Sequence, residues 1–266
     1  KGYTASETLN LTDIKGTLRS YQEYGVHWMN FLAHMGNGGV LADDMGLGKT
    51  VQTLAFAAQF KEKGPILVVC PTTVTFNWKK EIEKFLPSKK VVVYSGANRY
   101  QHLEKLPDVD FVIMSYGILK NDLTWLKSIL FKCIFIDEAQ YMKNPQSQIS
   151  KAIKSLQGQF KLVMTGTPIE NHLLDIWNLF DFVMPDYLGS RKQFETAIQT
   201  DEKNVIKAKI KPFILRREKR EVLDSLPLFP TDLRLWALMA SLRRNIEVED
   251  ISKHTGIDPW FIHRFK

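Results

Sequence analysis

Short apolar, β-branched runs alternate along this chain with longer segments of helical period, and most of the runs end on a polar signature. The runs are Gly39 to Ala42, Ile66 to Cys70, Val91 to Tyr94, Phe111 to Met114, Cys133 to Ile136 and Leu162 to Thr165. Helix-period segments lie between most of them, among them Thr50 to Lys61, Thr75 to Phe85 and Gln146 to Leu156. Such alternation predicts an α/β fold whose central, mostly parallel sheet is covered by helices on both faces. Ligands of such sheets sit at the carboxyl ends of the strands, where loops meet helix N-termini. The polar residues fall at those ends: Gly46-Leu47-Gly48-Lys49-Thr50, Pro71-Thr72-Thr73, Asp137-Glu138 and Thr165-Gly166-Thr167-Pro168.

The run Asp43-Asp44-Met45-Gly46-Leu47-Gly48-Lys49-Thr50 lies between a strand and a helix, the context a phosphate-cradling loop requires. Glycines let backbone N–H groups converge on phosphate. Lys49 offers a mobile positive charge to the β and γ phosphates, Thr50 a hydroxyl to Mg²⁺, and the following helix its positive N-terminal end. The strict pattern wants glycine where Asp43 stands, so taken by itself the loop could also be a glycine turn with an exposed Lys and Thr. Asp137 and Glu138 follow an apolar strand and emerge toward that loop in this architecture. One can support Mg²⁺ through water and the other polarise an attacking water, a role that depends on partnership with Lys49.

At 266 residues the chain predicts one α/β domain of about 200 residues with an appendage. Lys and Arg outnumber Asp and Glu by 36 to 29, a formal +7 that favours encounter with polyanions. No apolar run approaches the roughly 18 residues that span a bilayer, and no signal-peptide pattern opens the chain, so an intracellular protein without a membrane partner is expected. The two cysteines, Cys70 and Cys133, lie in apolar runs and read as reduced, buried small hydrophobes. With no Cys/His cluster at ligand spacing, no structural zinc is expected.

After Pro168 the pattern turns mostly helical, and a basic stretch, Arg216-Arg217-Glu218-Lys219-Arg220, leads to Pro227 and Pro230, which bracket a boundary. Three regions follow: a tail over 1–10, a lobe over 11–227, and a short helical segment of different origin over 228–266.

Leu18-Arg19-Ser20-Tyr21-Gln22, Leu41 to Thr50, Asp137-Glu138-Ala139-Gln140 and Thr165-Gly166-Thr167-Pro168 resemble, in order and spacing, the Swi/Snf-type branch of helicase superfamily two. In that family Asp is usual at position 43. The resemblance implies a RecA-like P-loop lobe, an ATP-binding half of a DNA-dependent ATPase that moves along double-stranded DNA. It implies that Gln22 reads the adenine edge, that Asp44 to Thr50 cradle the phosphates, and that Lys49, Asp137 and Glu138 are the catalytic set, with Mg²⁺ on Thr50 and, through water, Asp137. Gln140, Thr165, Gly166 and Thr167 would couple nucleotide state to DNA. Sequence-independent backbone contacts fall to Thr72, Thr73, Arg99, Ser115, Tyr116, Lys143 and Asn144.

The resemblance also implies a second RecA-like lobe, with its arginine finger, which no later stretch of this sequence matches. The lobe alone is therefore expected to be nearly inactive. Residues 230–266 resemble instead the helical connecting region of a carbamoyl-phosphate synthetase large chain, which suggests a fusion. A non-catalytic DNA-binding or interaction module with a vestigial ATP site is the rival reading, against which Lys49, Thr50, Asp137 and Glu138 stand. An amidotransferase role fails because no ATP-grasp-like stretch accompanies the tail.

Overall fold

A computed structural model describes residues 9, 11–59, 64–142, 144–166, 173–199, 203–223, 247–249 and 252. The chain divides into two compact units, Lys1–Arg216 and Arg217–Lys266. In the first, seven strands among the described residues form one sheet: β1 (Gly39–Leu41), β2 (Ile66–Cys70), β3 (Val91–Val93), β4 (Phe111–Ser115), β5 (Leu130–Asp137), β6 (Gln157–Met164) and β7 (Ile214–Leu215). Their order is β3-β4-β2-β5-β6-β1-β7, and every pairing is parallel. The helices are α1 (Ser20–His34), α2 (Lys49–Gln59), α3 (Thr75–Phe85), α4 (Tyr116–Leu126), α5 (Gln148–Lys154), α6 (Leu173–Val183), α7 (Arg191–Gln199) and α8 (Lys203–Ile210), with α9 (Lys219–Leu223) in the second unit.

Because successive side chains of a strand point to opposite faces, the unbroken apolar runs of β2, β4 and β5 feed two cores at once. Leu67, Val69, Val112, Met114, Ile134 and Ile136 pack with Leu119, Ile153, Ile176 and Phe180 from α4, α5 and α6. Ile66, Val68, Ile113, Phe135 and Leu162 pack on the other face with Val26, Met29, Leu54, Phe56, Trp78 and Ile82 from α1, α2 and α3. Cys70 and Cys133 are buried and free, and burial pushes the Cys70 thiol up to about 12, so both behave as small hydrophobes.

Local chemistry fixes where helices begin and end. Ser115 Oγ accepts the Ile118 N–H at the start of α4, and Ser147 Oγ accepts the Ser150 N–H at the start of α5. At α1 the Gln22 side chain accepts the Arg19 N–H at 2.9 Å, an i to i+3 cap. Gly36, at φ +69°, ends that helix in the left-handed conformation.

The second unit is described over α9, where the Glu218 N–H donates to Glu221 Oε2 at 2.9 Å and Arg220 pairs with Glu218. The boundary expected at Pro227 and Pro230 and almost all of the segment 228–266 lie outside the described residues.

Candidate nucleotide site

Four neighbouring strands, β2, β5, β6 and β1, end on the four polar signatures. Since all run parallel, their carboxyl ends share one edge of the sheet, at the crevice where α/β sheets bind ligands.

The loop after β1 is held from three sides. Gly46 and Gly48 have φ of +86° and +76°, a backbone only glycine adopts without strain. Asp43 is 0% exposed and accepts from Gln52 Nε2 at 3.1 Å, so the residue that breaks the strict glycine pattern is a buried anchor tying the loop to α2. Its φ is not positive, and so nothing there demands glycine. Gln52 Nε2 also reaches the carbonyls of Leu47 and Gly48. From α1, Gln22 Nε2 donates to the Leu47 carbonyl at 3.3 Å while Oε1 caps its own helix. The residue expected to read adenine is thus placed directly against the loop, its amide turned to the protein's own backbone.

Lys49 opens α2 and donates from Nζ to the carbonyls of Asp43 at 2.7 Å and Asp44 at 3.3 Å. Burial lowers its pKa, and Asp43, Asp137, Glu138 and Asp44 pull the other way. Thr50 is half-buried on the same first turn, and Met45 is exposed at the tip. At the end of β6 the Thr165 N–H donates to the Leu41 carbonyl at 3.1 Å, and a Cβ on Gly166 would come within 2.7 Å of Met45 Cγ and 3.7 Å of Lys49 Nζ. Glycine at 166 therefore lets the two loops touch.

Asp137 ends β5 half-buried, and burial raises its carboxyl above the ordinary value; the Trp78 indole, donating to Oδ2 at 2.8 Å, works against that rise. Glu138 follows at φ +61°, a left-handed backbone that a non-glycine residue keeps only when its surroundings impose it. They do so: the buried Tyr116 hydroxyl donates to the Asp137 carbonyl and lies 3.4 Å from that of Glu138. Tyr116 stacks on Tyr141, ring centroids 4.7 Å apart. The turn after Glu138 is pinned in turn by Asn178, fully buried on α6, whose amide donates to the Met142 carbonyl and to Ser150 Oγ.

Among the described residues no group of three or more His, Cys, Asp or Glu could hold a metal. One carboxylate, one hydroxyl and phosphate oxygens are the hard-oxygen donors that suit Mg²⁺, which keeps several waters and is rarely caged by protein alone. Asp137 and Thr50 fit that ion.

The residues expected at the nucleic-acid face divide in two. Thr72, Thr73 and Asn144 are exposed at the carboxyl edge, as is Gln140, the residue expected to couple nucleotide state to DNA. Arg99, Ser115 and Tyr116 have internal partners. Arg99 forks onto Asp122, with Nη2 2.9 Å from Oδ1, and Asp122 is 1% exposed. Ser115 caps α4, and Tyr116 holds the Asp137-Glu138 backbone. Lys143, Thr167 and Pro168 lie outside the described residues. Trp78 and Asn178 are site-supporting residues that the sequence patterns do not single out. Asn178 leaves a signal, a lone amide on the core-facing side of the apolar α6. Separately, a cavity of about 440 Å³ is lined by Ala42, Leu173, Ile176, Ile210 and Ile214 with Lys207, Lys211 and Arg216. Of the residues leading into the loop, only Ala42 borders it.

A parallel sheet with a glycine loop, a lysine and an acidic pair on one edge defines a P-loop nucleoside-triphosphatase lobe of the RecA type. Residues 21–244 match the family model of the SNF2-related domain. The chain belongs to that family. It is 42% identical over 221 residues to an uncharacterized ATP-dependent helicase of Mycoplasma genitalium, covering 79% of this chain and 21% of that protein. It is 41% identical over 225 residues to a putative ATP-dependent helicase/translocase of Bacillus subtilis, covering 78% and 24%. The solved SWI2/SNF2 ATPase core of Sulfolobus solfataricus in complex with dsDNA superposes with a TM-score of 0.77 at 39% identity, over 89% of this chain and 54% of that one. The chain thus spans about a fifth to a quarter of these curated relatives and about half of the solved core.

Proposed function

We propose that this chain is the ATP-binding lobe of a DNA-dependent ATPase that translocates on double-stranded DNA inside the cell. The observation that carries it is the convergence of Lys49, in the loop after β1, with Asp137 and Glu138, at the end of β5, on one edge of the sheet with β6 between them; the two carboxylates raise the lysine's pKa against its burial. Backbone amides of the Gly46 to Thr50 loop and the N-terminal end of α2 hold the phosphates. Lys49 neutralises charge on the β and γ oxygens, exchanging its bonds to the Asp43 and Asp44 carbonyls for phosphate. Glu138, its backbone fixed by Tyr116, orients water in line with the γ-phosphorus and takes its proton. Thr50 and, through water, Asp137 would hold Mg²⁺, which would offset the charge that builds on the phosphates. Gln22 faces the base, and Gln140 with the Thr165 to Thr167 segment passes nucleotide state to the DNA side.

Thr72, Thr73 and Asn144 suit contacts to phosphate that carry no sequence information. The family's second lobe supplies the missing arginine, so this lobe alone turns over slowly, since such an arginine is worth roughly 10³ to 10⁵ in rate. The likeness of residues 230–266 to a synthetase connecting region stays a proposal, and the family match, which runs to residue 244, overlaps its first part.

The test is ATP turnover with and without duplex DNA, the second lobe supplied in a longer chain or in trans. Stimulation by duplex is expected, and its absence in the two-lobed form overturns the motor reading. Lys49→Ala should abolish ATP binding; unchanged affinity would mean that the phosphate site is elsewhere.

A further inference from the structure

Trp78 is 2% exposed on α3, and its only polar atom, Nε1, donates to Oδ2 of Asp137 at 2.8 Å. An indole N–H can donate but never accept, so it demands an oxygen lone pair and cannot exchange roles with its partner. A carboxylate at a strand end otherwise turns freely, because the χ2 torsion of Asp is broad and nearly two-fold. With Oδ2 held by an immobile buried ring and the Glu138 N–H also donating to the carboxylate, the group is confined to one rotamer beside Lys49. The backbone of the same residue is held independently, since Tyr116 donates to its carbonyl.

Packing alone does not account for an indole here. Phenylalanine would fill an apolar face between α3 and the sheet without a buried donor to satisfy, and a buried N–H left without an acceptor costs about 1 to 3 kcal/mol. The acceptor it meets is the carboxylate that ends β5 and faces the Lys49 loop.

We propose that Trp78 is a positioning residue for the nucleotide's metal: it fixes the rotamer of Asp137 so that one carboxylate oxygen is presented toward Mg²⁺. This rests on the reading of Asp137 as the metal-supporting group. Groups that orient metal-holding side chains in this way are typically worth about 10- to 100-fold in metal affinity, and the effect here should lie near the lower end, roughly tenfold, because Asp137 acts through water.

The measurement is ATP affinity by calorimetry, with Mg²⁺ and with chelator, for the whole chain and for Trp78→Phe, Trp78→His, Asp137→Asn and the Phe/Asn double variant. Trp78→Phe should keep the chelator affinity and lose roughly tenfold of the Mg²⁺-dependent gain. Trp78→His, smaller but still a ring N–H donor, should retain more of it than Phe. In the Asp137→Asn background the Phe substitution should remove nothing further, the signature of action through one partner. An unchanged Mg²⁺ gain in Trp78→Phe, beside a reduced one in Asp137→Asn, overturns the proposal alone. So does equal loss in the Phe and His variants, which would make volume the cause. An unchanged gain in Asp137→Asn overturns the metal assignment itself. Should the Phe variant not fold, the His variant decides, and a tenfold or greater loss there overturns the donor role.

Discussion

Three glycine-to-alanine substitutions separate the backbone from the neighbourhood of the nucleotide loop. At Gly48 φ is +76°, and an added Cβ would lie 2.5 Å from Gln22 Nε2 and 3.0 Å from Val51 Cγ1. An L-residue in the left-handed region costs roughly 1 to 2 kcal/mol. Displacing the Gln22 amide also breaks its bond to the Leu47 carbonyl and its cap on the Arg19 N–H, each worth about 1 kcal/mol. Gly48→Ala should therefore lose about 3 to 4 kcal/mol, a large share of the roughly 5 to 15 kcal/mol that keeps a domain folded. Gly36 has φ +69° with nothing within 4 Å of its Cβ position, so Gly36→Ala isolates the backbone share, about 1 to 2 kcal/mol. Gly117, in α4, has open space and no left-handed φ, so Gly117→Ala should gain about 0.5 to 1 kcal/mol. Urea unfolding at unchanged m-value reads all three. A Gly48 loss no larger than that of Gly36 would show that Gln22 does not brace the loop, and a Gly117 loss of similar size would refute the geometric reasoning altogether.

Asp43→Gly, which restores the strict phosphate-loop pattern, should destabilise by about 2 kcal/mol because Gln52 loses a charged acceptor inside the protein; a neutral or stabilising effect in the same unfolding assay would reverse the assignment of Asp43 as an anchor. The Arg99 fork holds the Asp122 carboxyl below its ordinary value, opposed by its burial. A depressed native pKa gives stability that is complete above the unfolded value near 3.9 and is lost as pH falls through the lower folded value. The excess melting temperature of the parent over Asp122→Asn should accordingly be level from about pH 5 to 8 and shrink only below about pH 4; a difference that persists in stronger acid would mean that packing, not the ion pair, is responsible.

Six of the seven strands are legible as β-branched runs, because a sheet buried on both faces needs continuous apolar stretches and these residues supply them. The ends are less so. β5 begins at Leu130 and β6 at Gln157, ahead of the apolar runs, since Gln157 and Gly158 pair with Leu130 and Phe131 through their backbones whatever their side chains. β7 escapes notice: Ile214 and Leu215 lie in a stretch of helical pattern and become a strand only because β1 offers an open edge. Strand order is set by pairings between distant residues and leaves no local trace. At the site, Lys49, Asp137 and Glu138 are legible because their chemistry fixes their type and spacing. The supports are not. Trp78 looks like any buried aromatic until its nitrogen is placed, and Arg99 and Tyr116 look like surface contacts until Asp122 and the Asp137 carbonyl appear beside them.

The parallel order has a consequence for how the protein comes to have a site at all. β1 pairs with β6 through Gly39 and Leu162 and with β7 through Val40 and Ile214, partners far along the chain, while its near-sequence support is side-chain packing on α1, where Gly39 lies against Leu32 and Trp28. As synthesis proceeds, the Gly46 to Thr50 loop emerges before β5, β6 and β7 and waits on a strand whose sheet partners have not yet been made. Closing such distant pairs is slow. Nucleotide offered to the growing chain would find no grip before residue 164 joins the sheet, and the last seam, at Ile214, closes just before the chain passes into its second unit. On the function proposed above, capture of ATP during translation would report completion of the sheet.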